Sequence, residues 1–584
     1  MAENHQTAPF DPPVRYIVRF DDASNHYLSV EAVLPAGGPS EIDVFLPVWT
    51  PGSYLIREYS RHIEAMAASR TDGSPLRIWK TRKNRWRIES AGAPEIRLIY
   101  RVYCREMSVR TNWVEDSFAF VNGASTFVTL VESPGRAHEV QLELPPHWPR
   151  SITGLQACGG AHRYRAQNYD ILVDSPILCG DPATWSFEVN GIPHVLADEG
   201  EHGVWDGPRS AADAERIVRQ HMALFGALPY ERYVFLNLLV EARGGLEHRN
   251  SMCLMASRWS TRTRHAYLGW LHLVSHEFFH VWNVKRLHPV ELGPFDYENE
   301  NYTRSLWVAE GITDYYGPLA VRRAGLSTVD EYLDALSDTI RALDATPGRL
   351  EQSLEQSSWD AWIKLYRPDE NSVNTTISYY TKGAVVAWLL DVRIRSATGG
   401  AKSLDDLMRA ALARFCGGSG FTAEEFKSLA ASIAGTPLDD FFRHTVESTE
   451  DLDYSVALDC FGLRFEHECK TAATLDCETR VDHGRVIVSK VRRGTPAFRA
   501  GLNVDDEIVA IQGFRVRADQ LGQRLENYQP GDTIPILIAR RERLRTIDLT
   551  LGIEPVRRRL AIRPDATEAQ KRNLAGWLCL QPER

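Results

Sequence analysis

Between residue 16 and about residue 190, apolar and polar positions alternate in short runs: YIVRF, EIDVFLP, EIRLIYRVY, VQLELP and WSFEVN. Pro, Gly, Asp and Asn stand between them. A period of two with turn formers at the breaks predicts an antiparallel β domain, here expected over residues 1–195. Residues 47–63, PVWTPGSYLIREYSRHI, interrupt the pattern with a Pro-Gly turn and a group of aromatics. The period then lengthens. SAADAERIVRQHMALFG predicts a helix with Ser210 as N-cap and Gly226 closing it. The run YVFLNLLVE (233–241) reads as a strand and leads into the glycine turn ARGGLEHRNSM. Helical spacing dominates residues 264–287 and most of 306–415, for example in VDEYLDALSDTIRAL and KGAVVAWLLDVRIRSATG. Short strands return after residue 451, and residues 567–580 suit one amphipathic helix.

The pattern therefore predicts a multidomain α+β chain. Residues 1–195 form the β domain, 196–320 a mixed α/β segment, 321–450 a helical segment, 451–556 a second β module and 557–584 a tail or helix. A length of 584 residues agrees, because one hydrophobic core rarely serves so long a chain. No internal repeat or low-complexity tract is present.

Composition removes several function classes. A hydrophobic share of 43% and a charged share of 25% are those of an ordinary globular protein, which excludes a disordered chain. The net charge of -10, with no long basic run, argues against nucleic acid or an anionic membrane as partner. The first residues show no basic or apolar leader, and no apolar run reaches the roughly 18 residues of a membrane span, so a soluble cytoplasmic protein is expected. The nine cysteines, Cys469 among them, are scattered without a C-x-x-C pair, which speaks against a disulfide framework or a Cys-ligated zinc. Any metal must then sit on His and carboxylate.

SHEFFHVWN (275–283) offers such a site. On a helix, positions i and i+4 share a face, so His276 and His280 can direct imidazole nitrogens at one ion. Glu277, about 100° round the helix from His276, can reach water beside that ion as a general base. Leu271, Val274, Phe278 and Val281 fall opposite the histidines and are expected to face a core. His272 lies in the same row, but about 12 Å of helix rise separates it from His280, so it is read as a packed or supporting histidine. A catalytic zinc takes a third protein ligand, and Glu310 in LWVAEGITDYYG is the best candidate. Trp307 and Val308 would pack inward there, and Asp314, one turn later, can accept a hydrogen bond from a ligand histidine.

With these residues assembled, the chain resembles the gluzincin clan of zinc peptidases, specifically the glycyl aminopeptidase family with a C-terminal PDZ domain. The resemblance rests on P-x-W-x-P-G-S-Y (Pro47, Trp49, Pro51, Gly52, Ser53, Tyr54), GGLEHRNS (244–251), HEFFH-VWN-x-K-R (276–286) and LW-x-x-EG-x-T-x-YYG (306–317). It implies a thermolysin-like catalytic segment over 196–320, one Zn2+ on His276, His280 and Glu310, and Glu277 deprotonating the zinc-bound water. GGLEHRNS is similar to the Gly-x-Met-Glu-Asn motif of the aminopeptidase N family. By that likeness Gly244 and Gly245 would align the peptide, and Glu247 would hold its free α-amino group. YYTKG (379–383) resembles the clan's Tyr-x-Lys-Gly segment and implies Tyr380 as oxyanion donor, with Tyr379 and Tyr302 as alternatives. Residues 484–514 resemble a bacterial PDZ core, and FGLRF (461–465) is placed like the loop that holds a peptide C-terminus.

The expected function is a zinc aminopeptidase acting on peptides with a free N-terminus, preferring Gly and then Ala. A thermolysin-type endopeptidase served by its PDZ domain, and a peptide-binding protein with a vestigial metal site, are the alternatives. A homo-oligomer is compatible with the sequence.

Overall fold

A computed structural model describes residues 12–132, 135–468, 472–554 and 556–580. Cys469 and the initial residues, from which the lack of a leader was expected, lie outside the described residues. The chain divides into two compact units that interleave along the sequence. Met1–Tyr302, Tyr316–Leu326 and Ala411–Phe421 make the first, and Thr303–Tyr315, Ser327–Ala410 and Thr422–Arg584 the second. Among the described residues no helix is long and apolar enough to cross a membrane.

The first unit opens with an eight-stranded sheet. Its alternation is real: Val14, Tyr16, Val18 and Phe20 of the strand Val14–Asp22 are buried in one apolar cluster with Leu28, Val30, Ala32 and Leu34. The sheet is not wholly antiparallel. Val14–Asp22 pairs antiparallel with Tyr27–Pro35 but parallel with His138–Glu143, which the long intervening chain permits. The same unit carries a five-stranded sheet in the order Ala183–Val189, Ile192–Glu199, Tyr233–Leu239, Ser251–Ala256, Gly244–Glu247. Tyr233–Leu239 runs parallel to both neighbours and is buried at every position, the physical reason its sequence is continuously apolar.

Two helices, Gly207–Phe225 and Arg264–Phe279, share an apolar cluster with strands of this sheet. The former starts earlier than expected, because Asp206, not Ser210, is the N-cap and accepts from Arg209 N at 3.2 Å. Pro208 fits the first turn, where its missing N–H costs nothing. Ser210 is buried and donates to the Asp206 carbonyl at 2.8 Å. Gly226, at φ 89°, ends the helix in the left-handed conformation that glycine favours.

In the second unit, Thr328 and Glu331 form a capping box for the helix Val329–Asp344, and Ser378 caps Tyr379–Ala397. Strands Cys477–Asp482, Arg485–Val491, Glu507–Ile511, Thr533–Arg540 and Arg543–Thr550 lie side by side in that order over their own apolar core. The segment FGLRF does not form the open carboxylate cradle expected of it. Leu463–Glu468 pairs along its length with Arg557–Ile562, and a Cβ at Gly462 would come 2.8 Å from the Ala566 Cβ. The chain's own C-terminal segment fills that place.

The terminal helix Glu568–Leu578, capped by Thr567, explains why. Its Trp577 is wholly buried, stacks on Phe461 at 4.2 Å and donates Nε1–H to the Tyr315 hydroxyl at 2.8 Å. The Tyr315 hydroxyl donates in turn to Asp391 Oδ2 at 2.8 Å, and Asp391 pairs with Arg395. Trp577→Ala is expected to cost about 3–5 kcal/mol and to lower the melting temperature, whereas Trp577→Phe, which keeps most packing and loses the hydrogen bond, costs about 1–2 kcal/mol. Calorimetry of the full chain checks the order of the two variants.

Candidate active site

The helix Arg264–Phe279 buries Leu271, Val274 and Phe278, together with Val281 just beyond it, in the core of the first unit, as their spacing predicts. It is shorter than the periodicity suggested. It stops at Phe279, with His280 as C-cap, and Val284 follows at φ 93°, a conformation costly for a β-branched residue. The turn has a chemical result. His280 Nδ1–H donates to the Asn283 carbonyl at 2.8 Å, which fixes the tautomer and leaves the Nε2 lone pair available. That Nε2 lies 3.1 Å from His276 Nε2, a separation suited to two nitrogens bound ~2.0–2.1 Å from one ion. His276, Glu277 and His280 bring one ligand atom each within 4.8 Å of one another, so the donors fit a borderline cation such as zinc.

The edge strand Gly244–Glu247 packs beside this helix. Side chains alternate along it: Leu246 enters an apolar cluster with Val109 and Phe118, while Gly245 and Glu247 take the other face. A Cβ at Gly245 would fall 1.9 Å from Glu277 Oε1 and 2.4 Å from Glu277 Cδ, so the glycine is what admits the glutamate to the strand. Glu277 is 5% exposed and Glu247 3%.

Glu247 is roofed by the Pro-Gly turn singled out in the sequence. Pro51 and Gly52, the latter at φ 82°, with Ser53 N donating to the Thr50 carbonyl at 3.1 Å, have the signature of a type II turn. A Cβ on Gly52 would lie 2.6 Å from Glu247 Oε2. Among the described residues no donor hydrogen-bonds the Glu247 carboxylate; its ion-pair partner, Lys285 Nζ, stands 3.8 Å away.

Sequence reasoning missed the group that governs this lysine. Asp174 follows the short helix Tyr169–Val173 and accepts from Lys285 Nζ at 2.8 Å, His248 Nδ1 at 3.2 Å and Arg249 N at 2.7 Å. Burial pushes the Asp174 carboxyl up, but Lys285 and His248 together outweigh it and leave it far below the usual carboxylate range. Nothing in the local pattern around residue 174 marks it; the lysine and the turn 247–249 find it only in three dimensions. Arg286, beside Lys285, is structural: it donates to the carbonyls of Val281 and Pro229 at 2.6 and 2.7 Å, and burial lowers it to about 10.

In the second unit, Trp307–Gly311 forms one π turn that places Trp307, Val308 and Glu310 in buried positions. Such turns re-aim side chains and recur at functional sites. Asp314 follows in the helix Ile312–Arg323. Gly311 and Gly383 meet backbone to backbone: a Cβ on Gly311 would be 2.5 Å from Gly383 Cα. This crossing draws YYTKG alongside the Glu310 turn. Tyr380 is half-buried, and burial, with the nearby Glu310 charge, pushes its phenol well above the usual range. Its hydroxyl lies 3.3 Å from that of Tyr366, a neighbour the motif did not indicate. Tyr379 is wholly buried and stacks on Tyr380, whereas Tyr302, in the first unit, is exposed.

The sequence matches the family model for M61 glycyl aminopeptidase over residues 269–386, that for the peptidase M61 N-terminal domain over 15–181 and that for a PDZ domain over 461–551. Among solved structures, an aminopeptidase N family protein from Idiomarina loihiensis is similar at 30% identity and a TM-score of 0.91, covering 97% of this chain and 100% of its own. An M1 zinc metallopeptidase from Deinococcus radiodurans aligns at 13% identity and a TM-score of 0.48, over 76% of this chain and 95% of its own. No curated protein matches the chain. Matched from its first β domain through its PDZ module, and along its whole length by a relative of the same architecture, the chain belongs to the M61 glycyl aminopeptidase family and is a peptidase.

Proposed function

We propose that the protein is a zinc-dependent aminopeptidase that removes a small N-terminal residue, glycine first and alanine next. The observation that carries this reading is the spacing on the Gly244–Glu247 edge strand. Glu277 stands against Gly245, and the Glu247 carboxylate lies two residues further along, roughly 7 Å at ~3.3 Å per residue. With a substrate ammonium paired at Glu247, that span suits a first peptide bond beside Glu277. A buried carboxylate that no donor among the described residues hydrogen-bonds supports the same role, since a substrate ammonium would satisfy it.

In this reading His276, His280 and Glu310 are the metal ligands, and Asp314 orients a ligand imidazole. When bound, zinc would supply Lewis acidity, polarising the scissile carbonyl and lowering the pKa of water. The backbone of Gly244 and Gly245, at the sheet's edge, aligns the peptide as an added strand. Glu277 accepts a proton from the attacking water and returns it to the leaving amine. Tyr380, whose phenol is pushed up by burial and by the Glu310 charge, donates to the oxyanion.

The test compares a glycine-led peptide with its N-acetylated twin, by product mass. The free-amine peptide is expected to lose its first residue and the acetylated one to stay whole. Glu247→Gln is expected to lower kcat/KM for the free peptide about 10- to 100-fold, the loss of one charge-assisted pair. Internal cleavage of both peptides would replace this reading with an endopeptidase.

A further inference from the structure

Glu247 has an unusual neighbour for a group that must bind a cation. Lys285 carries its own ammonium 3.8 Å away, its side chain 9% exposed, on the turn that follows the histidine helix. Left to itself that lysine would close on Glu247 and occupy the place of a substrate amine. It does not, because Asp174 holds its Nζ at 2.8 Å. The same carboxylate accepts from His248 Nδ1 and from Arg249 N, the two residues that follow Glu247 in the chain. One side chain therefore restrains the competing cation and anchors the turn that aims Glu247.

Taking the amine-binding role of Glu247 from the reading above, we infer that Asp174 is a positioning residue for substrate recognition, keeping Lys285 off Glu247 so that the carboxylate stays open to a peptide's α-ammonium. The charge pattern supports this over a purely structural role. Glu247 and Asp174 are two carboxylates facing one lysine, Glu247 buried and Asp174 half-buried, and with Lys285 Nζ held by Asp174 at 2.8 Å the Glu247 carboxylate is left to an incoming cation. The arrangement also bears on selectivity. A ligand without a positive N-terminus would bring no cationic donor to the buried Glu247 carboxylate, so it gains nothing from the site.

The experiment measures kcat and KM separately for a glycine-led peptide in the wild type, Asp174→Asn, Lys285→Met and the double variant. In Asp174→Asn the lysine is freed to pair with Glu247, and KM is expected to rise about tenfold with kcat within about twofold. Lys285→Met removes the competitor, so KM is expected at or below the wild-type value. Adding Lys285→Met to Asp174→Asn is expected to return KM to within about threefold of wild type, a rescue that a merely structural aspartate would not show. The inference is overturned if the double variant is as impaired as Asp174→Asn, or if Lys285→Met alone raises KM more than about threefold. Should Asp174→Asn not fold, Lys285→Met decides alone by the same criterion. Glu247→Gln, run alongside, separates the two failures: if it leaves KM and the preference over the acetylated peptide unchanged, the amine-site reading itself falls. If it raises KM while the other variants do not follow the pattern, only the role of Asp174 falls.

Discussion

Glu277→Gln is expected to lower kcat by roughly 10³-fold while the protein keeps its fold and its metal, the range that loss of a general base covers. The reason is local. Glutamine has the same shape, so it still fits the space that Gly245 leaves and disturbs neither histidine. An amide, however, cannot take a proton from attacking water. Metal content by emission spectroscopy, alongside single-turnover rates, separates this from loss of the ion. Activity within about tenfold of wild type would mean that another group carries the proton.

Gly245→Ala is expected to have an effect nearly as large, roughly 10²-fold in kcat, although it alters no group with chemistry of its own. The added methyl would need the place now held by the Glu277 carboxylate, 1.9 Å from its Oε1. What yields is the end of a flexible side chain, not backbone. The cost therefore falls on where Glu277 points and little on stability, and the melting temperature is expected to move by only a few degrees. A large fall in melting temperature with unaltered specific activity would show that Gly245 serves the sheet and not the glutamate.

What the chain reveals by itself follows the range of its interactions. The strand alternation of the first β domain, the apolar face of the Arg264–Phe279 helix and the pairing of His276 with His280 repeat within a few residues, so they are legible in a linear reading. Boundaries were less so. The helix closed by Gly226 begins at an Asp206 cap that competes with Ser210 nearby, and the histidine helix stops at Phe279 because a turn with Val284 in a strained conformation follows. FGLRF misled for a different reason. A short loop motif says nothing of what packs on it, and Trp577, from the far end of the chain, decides that.

The sequence by itself determined the composition class, the order of helical and extended segments, and the residues able to do metal-assisted chemistry, because those depend on side-chain type and on backbone periods of two and 3.6 residues. Only the tertiary structure decided that Gly52 roofs Glu247, that Gly245 admits Glu277, that Gly311 meets Gly383 and that Asp174 restrains Lys285. Each of these joins positions far apart in the chain through contacts a few ångströms wide. Such contacts are fixed by how whole elements pack, and no local period carries them.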